Sequence, residues 1–303
     1  MAEDRVRVIC GPTGAGKSAI AAGLALEHGA TIVSADSRQI YRGFDIGTAK
    51  PEWSEMKAIP HEGIDVADPT ERYSASQWAA MASEAIARAT ALRREAIVVG
   101  GTGFYIRALV DPLFEPPPLE AERRAQLENY LARIPTAELR RWCRELDPRR
   151  AHLGRVQLLR AVEIALLAGR RMSDMHAQHR PDSSHRPVYL VVDPGTALLS
   201  RIEGRLDAML DRGWLDEVIA LDAAVPDDAP AWKASGYRAM RDVSRGELDL
   251  ATARERIIIE TRQYAKRQRT WFRNQLGAGS VTRVDPADPA CPAVVQRWWK
   301  ESS

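Results

Sequence analysis

The chain has 303 residues, 45% of them hydrophobic and 28% charged, and a formal net charge of +2. That composition can bury the core of one large or two average domains. It excludes wholesale disorder and low-complexity polymers, and no window approaches the ~18 consecutive apolar residues of a membrane-spanning helix. Cys10, Cys143 and Cys291 are too few and too dispersed for a disulfide framework or a zinc site. The charged start MAEDRVRVIC lacks the apolar run of a signal peptide. Both features predict a soluble cytoplasmic protein.

In chain order, residues 5–10 alternate as a short strand, a glycine-rich loop follows at 11–18, and an Ala/Leu-rich helix runs to about Gly29. Residues 30–35 (ATIVSA) form a second strand that delivers Asp36. A helix over about 74–94 leads into a third strand, AIVVG at 96–100, and a second glycine cluster, Gly100–Gly103. Strands alternating with helices imply parallel pairing through right-handed crossovers. Pro112, Pro116, Pro117 and Pro118 break the pattern and mark a boundary. Only helical segments follow, to about residue 180, before RPVYLVVD (186–193) returns to strand character. A helical stretch over 197–221, a long helix over 250–275 and a tail with Trp298 and Trp299 complete the chain. The predicted fold is α/β: a P-loop-type parallel sheet core flanked by helices (1–114 and 188–303), with an all-helical insertion domain at 115–187.

Gly11-Pro12-Thr13-Gly14-Ala15-Gly16-Lys17-Ser18 fits G-x-x-x-x-G-K-[ST] and lies between a strand and a helix, where that motif works. The glycines let successive N–H groups turn inward as an anion nest at a helix N-terminus. Lys17 adds a full charge, and the Ser18 hydroxyl suits Mg²⁺. A ligand carrying a diphosphate or triphosphate is expected. Hydrolases of this kind need a second acid after an apolar strand. Asp36 is placed for that role, but its setting in Ser34-Ala35-Asp36-Ser37-Arg38-Gln39-Ile40-Tyr41 is rich in groups able to contact a base or ribose, and an N-cap role is the plainer alternative.

The ordered set GPTGAGKS, SADSRQIYRGFDIGTAKP (34–51), PHEGID (60–65), GGTGFYIRAL (100–109) and TRQYAKRQRTWFR (261–273) resembles the tRNA dimethylallyltransferase family over nearly the whole core. The resemblance implies transfer of a dimethylallyl group from dimethylallyl diphosphate to N6 of the adenosine 3′-adjacent to the tRNA anticodon. It implies that residues 11–18 hold the donor diphosphate instead of ATP, and that Asp36 is the general base. Thr102 and Arg205, the latter in competition with Arg201, would act on the leaving diphosphate. Asp36, Ser37, Arg38, Gln39 and Thr102 would meet the target nucleotide, with Arg124 and Arg160 as further tRNA contacts. Mg²⁺ is the expected cofactor. The anticodon stem-loop is the expected partner, no membrane is involved, and the protein is expected to act as a monomer.

From Arg254 to Arg273 seven basic residues face two acidic ones. Arg262, Lys266, Arg269 and Arg273 share one helical face, while Ile257, Thr261, Tyr264, Gln268 and Phe272 mark another. A basic stripe backed by a packed one is what a phosphate-tracking helix requires; a solvated face is the plainer reading. The insertion carries fourteen arginines against ten acidic residues. It departs from the family at Leu153-Gly154, where relatives carry Asn-Asp, and at Gln157, where they carry arginine. PHEGID replaces the usual PHHLID. The competing readings are an adenylate isopentenyltransferase acting on free AMP, ADP or ATP, a P-loop kinase or NTPase, and an RNA-binding module with a vestigial P-loop.

Overall fold

The computed structural model describes residues 4–111, 120–178, 185–276 and 280–302. The chain divides into two compact units, Met1–Asp111 with Ser183–Ser303, and Pro112–Asp182. The proline boundary expected at 112 and 116–118 lies outside the described residues.

The first unit opens with β1 (Asp4–Cys10), α1 (Lys17–His28), β2 (Thr31–Ser34), α2 (Trp53–Ala58), β3 (His61–Glu62), α3 (Ala75–Ala91), β4 (Ala96–Gly100) and α4 (Gly103–Val110). The second unit holds α5 (Ala121–Ala132), α6 (Thr136–Leu146), α7 (Arg155–Ala168) and α8 (Met172–Gln178). The first unit continues with β5 (His185–Val192), α9 (Leu198–Asp211), α10 (Trp214–Ala224), α11 (Tyr237–Ser244), α12 (Leu250–Asn274), β6 (Ser280–Val284) and α13 (Cys291–Glu301).

All six strands are parallel, in the order β3-β2-β4-β1-β5-β6. The pleat sends Ile9, Ile97 and Leu190 into one layer with Leu24 of α1 and Val295, Trp298 and Trp299 of α13. Residues of the opposite parity, such as Val8, Val98 and Tyr189, point the other way and are equally buried. On the α3 and α4 side, Trp78 donates its indole N–H to the Ser34 carbonyl at 2.8 Å and stacks on Tyr105 at 4.9 Å. Truncating this fully buried ring to alanine would cost about 3–5 kcal/mol.

Local signals explain the ends of the elements. Gly29, in the left-handed region, closes α1 by returning its N–H to Ala25. Ser74 and Gln77 close a reciprocal capping box on α3. The helical stretch read over 197–221 comprises two helices, because Gly213 takes φ 86° and starts α10 afresh. Strand β1 lies between β4 and β5, where successive connections change direction. The carboxyl ends of strands at such a switch point are where ligands bind in open parallel sheets. Within the helical unit, Leu131, Leu139, Cys143, Leu158 and Val162 form a separate small core.

Candidate active site

The loop after β1 is a cradle of unpaired donors. Gly16 takes φ 96° as the N-cap of α1, so the amides of Gly14, Gly16, Lys17 and Ser18 have no partner among the described residues. Pro12 at 11–18 gives its carbonyl to Lys17 Nζ at 2.8 Å, while Ala15 N–H turns back on the same carbonyl at 3.3 Å. Burial first, and the nearby Arg205 charge second, lower Lys17 to about 8, with Asp36 pulling the other way. An ammonium held this reluctantly is ready for an anion. Ser18 is exposed and its hydroxyl makes no hydrogen bond among the described residues, yet it lines a cavity together with Lys17.

Two cavities meet here, of about 560 and 370 Å³, and both are walled by Thr13, Gly14, Asp36 and Arg205. Gly16, Lys17, Ser18 and Arg201 line only the larger. Arg38, Trp214, Tyr264 and Arg267 line only the smaller. Asp36 therefore lies on the seam. Its Oδ1 accepts from Arg38 N–H at 2.9 Å. Thr102 supports the turn from behind: its hydroxyl accepts the Ser37 N–H at 3.0 Å and lies 3.3 Å from Ser37 Oγ. It braces the residue next to Asp36 and is absent from the lining of both cavities. Gln39 turns inward too, accepting from Ser34 Oγ at 2.8 Å and donating to the carbonyls of Thr48 and Ala49.

The structure distinguishes the two arginines. Arg205 is half-buried, and its partial loss of solvent lowers its affinity for a proton, while Asp36 raises it. Its Nη1 donates to Thr13 Oγ1 at 3.0 Å and its Nη2 reaches the Thr48 carbonyl at 3.5 Å. Arg201 donates to the Gly14 carbonyl at 3.1 Å and is the more exposed of the two. Only Arg205 faces both cavities.

Of the basic stripe, Arg262 and Lys266 are exposed and carry no ion pair among the described residues. They border a groove of about 490 Å³ floored by Leu198, Leu199 and Ile202. Arg269, on the same groove, is engaged internally, with Asp193 at 2.5 Å and the Gly195 carbonyl at 2.6 Å. In the helical unit, Arg124 (2.6 Å) and Arg160 (2.8 Å) both close on the buried carboxylate of Glu163.

Two further residues support the site from distant parts of the chain. Glu217 of α10 accepts the N–H groups of Asp45 (3.1 Å) and Ile46 (2.6 Å) and the hydroxyl of Tyr237 (2.6 Å). That hydroxyl in turn accepts from Gly47 N–H. The Asp45–Gly47 turn beside Thr48 is thus fixed by groups 171 to 190 residues away in the chain. Gln268, one helical turn from Tyr264 on α12, is buried against the P-loop.

The IPP transferase family model matches residues 39–275, and the isopentenyl transferase model matches residues 4–72. The chain belongs to the IPP transferase family. It is 41% identical to the tRNA dimethylallyltransferase of Anaeromyxobacter sp. (strain Fw109-5), over 94% of this chain and 97% of that protein. It is 38% identical to the tRNA dimethylallyltransferase of Deinococcus radiodurans over 98% of both. The crystal structure of tRNA delta(2)-isopentenylpyrophosphate transferase from Staphylococcus epidermidis superposes with a TM-score of 0.68 at 27% identity, over 99% of this chain and all of that one. In family terms, the P-loop, the Asp36 turn and the Gly100–Gly103 cluster form one site within the first unit of this IPP transferase.

Proposed function

We propose that this IPP transferase moves a dimethylallyl group from dimethylallyl diphosphate to N6 of the adenosine 3′-adjacent to the anticodon of tRNA, releasing diphosphate. The observation that carries the reading is Asp36 on the seam of the two cavities, with Gly16, Lys17 and Ser18 of the diphosphate cradle lining the larger one only. The donor's diphosphate occupies the larger cavity, against the amides of residues 14 and 16–18, Lys17 and Arg205. The target adenine enters through the smaller one, past Arg38 and Tyr264.

An exocyclic adenine amine is a weak nucleophile because its lone pair is delocalised into the ring. Asp36 accepts its proton as the N6–C1 bond forms and the C1–O bond to diphosphate breaks. The electron pair leaves with the diphosphate, and the amides, Lys17 and Arg205 stabilise the charge that collects there. Thr102 holds Ser37, and with it the Asp36 turn; Arg38 borders the nucleotide's cavity, and Ser37 and Gln39 fix the loop that carries it. Mg²⁺ fits as cofactor: Ser18 supplies one free hydroxyl beside the cradle, and this ion commonly takes one or two protein ligands with phosphate oxygens and water. Bound there, it would supply further charge to the leaving group.

Extruding the base from the anticodon loop costs a few kcal/mol. Phosphate contacts from Arg262 and Lys266 offset that cost, while Arg124 and Arg160 of the helical unit are committed to Glu163. Arg269 contributes by holding α12 to Asp193. No described helix is long and apolar enough to cross a membrane. The protein acts as a monomer in the cytoplasm, where its substrate tRNA lies.

The test offers radiolabelled dimethylallyl diphosphate and Mg²⁺ with unmodified tRNA, AMP or ATP in parallel. Label in tRNA alone supports the reading. Label in AMP or ATP assigns the protein to free adenylates, and ATP hydrolysis with no label transfer makes the P-loop an ordinary nucleotide site.

A further inference from the structure

Helix α12 carries both the exposed cations proposed for tRNA and one uncharged polar side chain that is buried, Gln268, only 6% exposed. Its Oε1 accepts the N–H of Thr13 at 2.8 Å and its Nε2 donates to the Gly101 carbonyl at 2.9 Å. A Cβ on Gly101 would lie 2.2 Å from Nε2, so the absence of a side chain there is what admits the amide. Both glycine-rich loops are thus pinned by one side chain. Gln268 also lines the larger cavity, alongside Lys17, Ser18 and Arg205.

An N–H donates well to one acceptor at a time. By taking the Thr13 amide, Gln268 removes it from the set that can reach an anion and leaves the amides of residues 14 and 16–18 to the ligand. The Thr13 side chain then points its hydroxyl at Arg205. From this geometry we infer that Gln268 is a positioning residue of the donor site, setting the diphosphate cradle and, through Thr13, the Arg205 guanidinium. The inference rests on the donor-site reading above.

The magnitude follows from what a truncation leaves behind. Gln268→Ala strands a buried donor on Thr13 and an acceptor on Gly101, and water gains access to both from the cavity. Recovering roughly one hydrogen bond's worth of misplacement predicts an affinity for diphosphate about tenfold weaker. Gln268→Glu separates positioning from packing. Glutamate fills the same volume and can still accept from Thr13, but it cannot donate to Gly101 and brings a negative charge into the cavity. Gly101→Ala displaces the amide without altering Gln268.

Inorganic pyrophosphate with Mg²⁺ is titrated into the full chain by calorimetry. Binding of unmodified tRNA and the thermal transition are measured on the same samples. The expected result is binding about tenfold weaker for Gln268→Ala and Gly101→Ala and weaker still for Gln268→Glu, with tRNA affinity kept throughout. Wild-type binding in all three variants overturns the inference. So does rescue by Gln268→Glu with parallel losses of tRNA binding and thermal stability in Gln268→Ala, which would make Gln268 a packing residue. If the wild-type protein itself ignores pyrophosphate, the donor-site reading falls first, and this inference with it.

Discussion

Lys17 gives the sharpest quantitative prediction. Its ammonium is held at about 8, chiefly by burial and then by Arg205. A bound diphosphate reverses that balance and raises the value, so the bound form stays charged. A group whose value rises on binding takes up protons, and affinity must fall as pH climbs through the free-state value. With the free value near 8, Lys17 is roughly nine-tenths charged at pH 7 and one-tenth charged at pH 9, so affinity drops about tenfold across that interval. Calorimetry in buffers of different ionisation enthalpy reads the same event directly. Proton uptake attributable to Lys17 should rise from near zero at pH 7 to nearly one at pH 9, and the Lys17→Met variant should lose that component while keeping any titration of the ligand itself. Identical uptake by wild type and Lys17→Met at pH 9 would refute the reasoning.

The stripe on α12 divides into two classes of residue. Arg262→Ala with Lys266→Ala should weaken tRNA binding and lower the log–log salt slope by about 1.5, seen in filter binding between 50 and 200 mM salt. Arg269→Ala should instead lower the unfolding free energy by about 1 kcal/mol, since it is paired with Asp193 in a partly exposed setting, and leave the salt slope nearly unchanged. Glu217→Ala removes the acceptor of two amides and of Tyr237, costing about 2 kcal/mol in denaturant unfolding. It should also lower kcat, through the Thr48 turn, more than it changes tRNA affinity.

The parts of this fold that announce themselves in sequence are those whose chemistry is local. GPTGAGKS sits in one turn between a strand and a helix, and AIVVG at 96–100 is a strand with the bounds its β-branched run suggests. Asp36 was legible because the residues that frame it are its chain neighbours. Strand β3 is two residues long and owes its pairing to β2 alone, so no propensity marks it. The ion pairs that engage Arg269, Arg124 and Arg160 join side chains 3 to 76 residues apart. A helical wheel shows such arginines on a face and says nothing of the carboxylate opposite. Gln268 was placed on the packed face of α12 by periodicity, but its partners lie 255 and 167 residues away, where only the fold brings them. Glycine clusters carried a partial signal: Gly101 reads as a turn residue, whereas the structure uses its bare Cα to admit a side chain.

The central claim is that Asp36 drives prenyl transfer from a diphosphate held by the P-loop to tRNA. It is tested most directly in a bacterial host lacking its own tRNA isopentenyladenosine, transformed with the wild-type gene or with Asp36→Ala. Total tRNA is digested to nucleosides and read by mass spectrometry, with both proteins quantified in the cells and their tRNA affinities measured after purification. The account predicts N6-isopentenyladenosine with the wild-type gene, a loss of at least about a hundredfold with Asp36→Ala, and equal tRNA affinities. Modified nucleoside at wild-type levels from Asp36→Ala, or none from a well-expressed wild-type protein, would contradict it.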